Sequence, residues 1–101
     1  MPLLGTTTKQ PSEIENYSIF YGNDLDAGET FTVQSVTLVA LDGSTTGLPT
    51  IEAFLADTQS QQVRISIAGG TAGVVYKVTT KILTDSGRLL EDEFKLKIRE
   101  Y

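Results

Sequence analysis

The side chains best suited to chemistry lie in one short acidic segment. Four residues with oxygen ligands fall within seven positions: Asn23, Asp24, Asp26 and Glu29. Ca²⁺ prefers such oxygens, but the spacing lacks the alternating ligands, central glycine and closing glutamate of an EF-hand loop. Asn and Asp also satisfy the backbone of ordinary turns. We therefore expect no metal here, and interpret the segment as an acidic turn that contacts a partner.

The other reactive groups form no catalytic pattern. The chain has no cysteine and no histidine, which removes the usual zinc and copper ligands and the usual nucleophile–base pairs. The carboxylates of Glu91, Asp92 and Glu93 have no partner at a defined spacing and are typical of a solvated strand edge. The sequence predicts a protein that is not an enzyme and has no cofactor.

A glycine-rich segment at residues 69–73 invites comparison with a phosphate-binding loop. It lacks the Lys-Ser/Thr ending, and it leads into a strand rather than into a helix whose N-terminus would hold an anion. We interpret Gly69, Gly70 and Gly73 as a tight structural corner between two strands.

Overall charge and hydropathy exclude two classes of partner. The formal net charge is −5, whereas nucleic-acid surfaces are rich in Lys and Arg. The longest apolar runs, such as residues 38–41, are far shorter than the roughly 20 residues of a membrane span. We expect neither a nucleic-acid nor a membrane partner.

The charges are unevenly distributed along the chain. Residues 1–60 contain Lys9 and eight acids, whereas residues 61–101 contain seven basic residues and five acids. In one interpretation, acidic early strands lie beside basic late strands and form cross-strand pairs. In the other, the acidic patch of one copy contacts the basic patch of the next. The sequence leaves both interpretations open.

Alternating polar and apolar residues predict about six or seven short strands with turns between them. The clearest runs are residues 17–21, 31–39, 62–68, 74–83 and 89–99. A change of phase near Val36 indicates either a β-bulge or a strand that is covered on both faces. Residues 50–56 are ambiguous, because their apolar spacing is helical but the segment is too short for a typical helix. Regularly spaced strands of this kind are typical of a sandwich or small barrel.

One detail favours an immunoglobulin-like sandwich. Tyr76 lies near the start of the penultimate predicted strand, directly after the glycine corner, which is the position of the tyrosine corner in that fold. The alternative is that Tyr76 is only a core aromatic. Residues 85–87 predict a hairpin in which Gly87 is left-handed. The predicted fold class is an all-β, immunoglobulin-like β-sandwich of antiparallel strands.

The chain divides into an arm and one domain. Residues 1–11 are polar, rich in threonine and without periodicity. They predict an N-terminal arm that is flexible or becomes ordered on a partner. Residues 12–101 form the single sandwich domain. Besides the acidic turn and the arm, we expect the loop at Asp42 and Gly43 to contact partners.

Several segments resemble a known family. They are residues 11–13, 17–19, 28–31, 69–73, 76–80, 84–88 and 94–96. These are similar to small structural proteins of tailed bacteriophages and prophages that are identified as fiber–tail adaptors. The resemblance covers about residues 11–99 and implies a β-sandwich with no catalytic residues.

The resemblance also implies a function. It implies a virion structural protein that joins or decorates neck, tail or capsid components, present in several copies and contacting portal, neck, tail or fiber proteins. No basic segment followed by an apolar one opens the chain, so we expect the protein in the host bacterial cytoplasm before assembly. The alternative is an isolated bacterial adhesion or carbohydrate- or ligand-binding module, which gene neighbourhood would distinguish.

Overall fold

Two packed β-sheets make up the protein. The computed structural model describes residues 3–100, with side chains from residue 6 onward. Within them are seven strands: β1 (Leu3–Lys9), β2 (Ile14–Phe20), β3 (Phe31–Ala40), β4 (Thr50–Asp57), β5 (Gln62–Ala68), β6 (Val75–Thr84) and β7 (Leu89–Ile98). One sheet has the order β1-β7-β6-β3 and the other β2-β5-β4. The predicted all-β sandwich is confirmed.

The strand order is that of an immunoglobulin-like sandwich with one change. Strands β2, β5 and β4 take the places of strands B, E and D, and strands β3, β6 and β7 those of C, F and G. The first strand pairs with the last one in parallel, instead of pairing with the second. All other pairings are antiparallel.

The core lies between the facing surfaces of the two sheets, because every second residue of a strand points inward. The fully buried apolar residues of the four-stranded sheet are Tyr76, Val78, Ile82, Leu96 and Ile98. Those of the three-stranded sheet are Ile19, Val63, Ile65 and Ile67. The hairpin of β6 and β7 pairs without a bulge from Val75 opposite Lys97 to Leu83 opposite Leu89, as its alternation predicted.

Most of the segment that the sequence predicts as a flexible or partner-ordered arm is a β-strand in the structure. Residues Leu3–Lys9 form edge strand β1, in which Thr6 pairs with Lys95 and Lys9 with Ile98. Backbone hydrogen bonds to β7 hold this strand, and its side chains include three successive threonines. The sequence therefore shows no alternation of polar and apolar residues. Lys9 is buried, and its ammonium donates a hydrogen bond to the carbonyl of Gln10 at 2.6 Å. Residues 1 and 2 of the predicted arm lie outside the described residues.

Two bulges account for the irregular sequence patterns. The register of β3 shifts between Val33 and Ser35, close to the bulge predicted near Val36. The ambiguous stretch is strand β4, whose register shifts between Ile51 and Ala53. The bulge adds a residue to β4, so its apolar side chains lose the two-residue alternation and imitate helical spacing.

Candidate functional site

A tyrosine fixes the corner that leads into β6. Tyr76 is fully buried, and its hydroxyl accepts a hydrogen bond from the backbone N–H of Thr71 at 3.1 Å. The same hydroxyl donates to the carbonyl of Gly47 at 3.3 Å. These are the upstream backbone contacts expected of a tyrosine corner. They tie the glycine corner to the loop that contains Asp42 and Gly43.

Tyr76→Phe tests this corner. We expect it to lower the free energy of unfolding by about 1 kcal/mol, because it removes two hydrogen bonds that close the corner. The matched control is Tyr17→Phe, since the buried Tyr17 hydroxyl has no hydrogen-bond partner within the described chain. That change is expected to be neutral or slightly stabilising. Urea unfolding of both variants measures the difference, and equal losses would contradict the assignment.

The predicted structural glycines all lie between strands in left-handed backbone conformations. Gly69, Gly70, Gly73 and Gly87 have φ values of +78°, +106°, +87° and +89°. The N–H of Gly87 donates to the carbonyl of Thr84 at 3.0 Å, which closes the β6–β7 hairpin.

The acidic turn is divided between surface and interior. Asn23, Asp24 and Asp26 are exposed. The side chain of Glu29 is only 4% exposed and forms an ion pair with Arg88 of the β6–β7 hairpin. Its carboxylate also accepts from the N–H of Asp26 at 2.9 Å and from the hydroxyl of Ser86. Glu29 thus links the turn to the hairpin and presents no surface to a partner.

The link between Glu29 and Arg88 stabilises the charged form of the carboxylate. Hydrogen bonds from Arg88, and then from Ser86, hold the pKa of Glu29 well below its usual value. Arg88 also donates to the carbonyl of Asp24 at 2.7 Å. This link is not visible in the sequence, because Glu29 and Arg88 are far apart in the chain and only the fold brings them together.

The second predicted contact region is an exposed loop. Asp42 and Gly43 are both exposed, and Asp42 accepts a hydrogen bond from the N–H of Ser44 at 2.9 Å. Hydrogen bonds from Ser44 lower the pKa of Asp42. Between residues 3 and 100, no group of three or more metal-ligating side chains is arranged to hold an ion. In the same residues, no helix has the length and hydropathy to cross a membrane.

The outer face of the three-stranded sheet is poor in charge and exposes large apolar side chains. We call this surface the neutral face and define it by Ile14, Phe20 and Leu55. These residues are 64%, 54% and 61% exposed. The charges on this face, Arg64 and Asp57, pair with each other at 3.1 Å. A groove of about 420 Å³ runs across the face, lined in part by Leu55.

One residue, Phe20, indicates this exposed apolar face in the sequence itself. It alternates with the buried Ile19 and Tyr21, so an apolar side chain stands at a polar position of the strand. Its ring packs over Gly22, where a Cβ would lie 2.0 Å from the ring Cζ. Ile14, Phe20 and Leu55 were not among the contact residues predicted from the sequence.

The outer face of the four-stranded sheet carries four lysines, and we call it the lysine face. Lys77 stands directly opposite Lys95, and Lys97 is opposite Val75 in the next row. Lys81 is opposite Glu91. An ion pair of 3.7 Å joins Lys77 Nζ to Glu93 Oε2. The lysines of β6 and β7 therefore lie beside each other, whereas the late basic residues Arg64 and Arg88 pair with the early acids Asp57 and Glu29.

A family model described as podophage GP4 fiber-tail adaptor protein gp77 matches residues 9–97. Because the match covers most of the chain, the protein belongs to this family of phage structural adaptors. The resemblance found in the sequence is confirmed. No curated protein sequence matches the chain.

Proposed function

We propose that the protein is a non-catalytic virion protein that joins or decorates neck, tail or capsid components of a tailed phage, and that it does so through the neutral face. The observation that carries this proposal is the exposure of Ile14, Phe20 and Leu55 on one sheet surface. Large apolar side chains exposed together on one surface are a feature of interaction sites, and here they surround the polar pair Ser18 and Arg64 at the middle of the face.

The composition of the neutral face fits an interface core. Such cores are depleted in charge and enriched in aromatic residues, and here the one arginine is already paired with Asp57. The face is also rigid, because its strand β5 is backed by the buried Val63, Ile65 and Ile67. A rigid surface loses little conformational entropy on binding, which favours affinity.

The partners would be portal, neck, tail or fiber proteins, with several copies of the adaptor in each particle. Family membership supports a place between tail and fiber components. Such a protein would be made in the host cytoplasm and would join the particle during assembly. The exposed loop at Asp42 and Gly43 lies beyond the ends of the strands, where it would extend the contact area.

Leu55→Glu tests the neutral face in the particle. A carboxylate at this position would lose its water in the proposed contact, and its cross-strand neighbour Arg64 is already paired with Asp57, so we expect incorporation to fall by at least about tenfold. Quantitative mass spectrometry of purified particles, normalised to the major capsid protein, gives the readout. The variant should keep the circular dichroism and unfolding curve of the wild type, because Leu55 is exposed.

Leu89→Glu is the matched control. Leu89 is 58% exposed but lies on the opposite sheet, so its variant should be incorporated normally. Normal incorporation of Leu55→Glu would overturn the neutral face as the contact. Absence of the wild-type protein from particles would overturn the virion role and favour a separate adhesion or ligand-binding module.

A further inference from the structure

We propose that Lys77, Lys95 and Lys97 on the lysine face of one copy bind the acidic end of a second copy, so that copies associate head to tail. The acidic end is defined by the exposed carboxylates of Asp24, Asp26 and Asp85 around Arg88. This inference rests on the proposed function only in taking the protein to be present in several copies. It adds which two surfaces meet.

The arrangement of lysines is unfavourable in the isolated chain. Lys77 and Lys95 are direct cross-strand partners, and like charges in that position destabilise a sheet. Within the described chain, the one ion pair of Lys77, Lys95 and Lys97 is the 3.7 Å contact from Lys77 to Glu93. An acidic partner would offset this repulsion.

The acidic end carries an excess of negative charge. The backbones of Thr30 and Asp85 are joined by a 2.9 Å hydrogen bond, which brings the β6–β7 hairpin beside the acidic turn. Arg88 is the basic group at this end, and its guanidinium is already engaged by Glu29 and by the carbonyl of Asp24. The exposed carboxylates of Asp24, Asp26 and Asp85 therefore keep their negative charge uncompensated.

One molecule cannot neutralise its own two patches. Strand β7 begins beside the hairpin at Leu89 and reaches the lysines at Lys95 and Lys97, which at about 3.4 Å per residue places Lys97 about 27 Å from Leu89. This separation is several times the Debye length of about 8 Å at physiological ionic strength. Two copies placed end to end bring the opposite charges into contact.

Apolar side chains next to the lysines add area to the proposed contact. Val39 and Leu41 are 50% and 49% exposed. Val39 is opposite Lys77 in the β3–β6 ladder, and the N–H of Leu41 donates to the carbonyl of Val75. Each copy presents both charged surfaces, so a second copy is the occupant that the chain itself supplies. Such a contact is heterologous and allows further copies to add.

Charge reversal in sedimentation experiments tests the inference. At about 50 mM NaCl the wild-type chain should self-associate, and at about 500 mM the association should weaken by at least about tenfold. Two variants should each stay monomeric: Lys95→Glu with Lys97→Glu, and Asp24→Lys with Asp26→Lys. An equimolar mixture of the two variants should associate again, because each now complements the other.

A charge reversal elsewhere on the lysine face serves as the control. Lys81 lies on the same face but toward the hairpin, opposite Glu91 and outside the group of Lys77, Lys95 and Lys97. Lys81→Glu should therefore associate like the wild type. A wild-type chain that is monomeric at both salt concentrations, association that ignores charge reversal, or a mixture that stays monomeric would each overturn the inference. These measurements use purified protein, whereas the proposed function is tested by incorporation into particles, so the failure of one is distinguishable from the failure of the other.

Discussion

Gly70→Ala should lower the free energy of unfolding by about 3 kcal/mol. Two costs add at this position. The φ of Gly70 is +106°, where a side chain costs about 1–2 kcal/mol. An added Cβ would also lie 2.7 Å from Cγ1 of Ile98 and 3.1 Å from Cγ of Pro49, and overpacking of this kind costs about 1–3 kcal/mol.

The neighbouring glycine provides the matched control. Gly69 has a φ of +78°, but nothing lies within 4 Å of a Cβ placed on it. Gly69→Ala should therefore cost only the backbone component, about 1 kcal/mol. Urea unfolding at neutral pH measures both variants. Equal losses would show that the contact with Ile98 and Pro49 does not constrain the corner.

Asp92→Asn should stabilise the protein near pH 7 and leave it unchanged near pH 4. Asp92 is 3% exposed on the inward side of β7. Burial, and then the charge of Asp24, raises its pKa from 3.8 to about 6. Because the folded pKa lies above the unfolded one, the proton favours the fold. This contribution is complete below about pH 4 and is lost as the pH rises through about 6.

The amide has no proton to lose, so the variant should gain about 1–3 kcal/mol at pH 7. The pKa of Glu29 is shifted in the opposite direction from 4.5, so its contribution is lost as the pH falls below that value. Wild-type stability should therefore have a maximum near pH 4 and fall as the pH rises from there to 7. Urea unfolding from pH 3 to 8 gives both curves. A variant that is less stable than the wild type at pH 7, or that keeps its pH dependence above pH 5, would contradict the buried, ionisable Asp92.

The sequence predicted the elements whose signals are local. The β6–β7 hairpin followed from alternation on both strands and from the turn that contains Gly87. Tyr76 was placed at the start of its strand because the glycine corner precedes it. Strand β1 was missed, since its partner β7 lies at the other end of the chain and its threonines show no buried face.

The surfaces were harder to predict than the strands, because the pairing register of the strands decides which side chains become neighbours on a surface. Lys95 and Lys97 are visibly alternating in the sequence, but their neighbour Lys77 is identified only by the ladder. Glu29 was expected on the surface with Asp24 and Asp26, yet its link to Arg88 turns it inward. The neutral face unites residues from β2 and β4, which are joined only through β5.

Electron cryo-microscopy of the intact particle tests the central claim most directly. The account predicts density for this two-sheet sandwich between tail and fiber components, with Phe20 and Leu55 buried against a neighbouring protein. Density in which the neutral face is open to solvent, while another surface makes the contact, would contradict it.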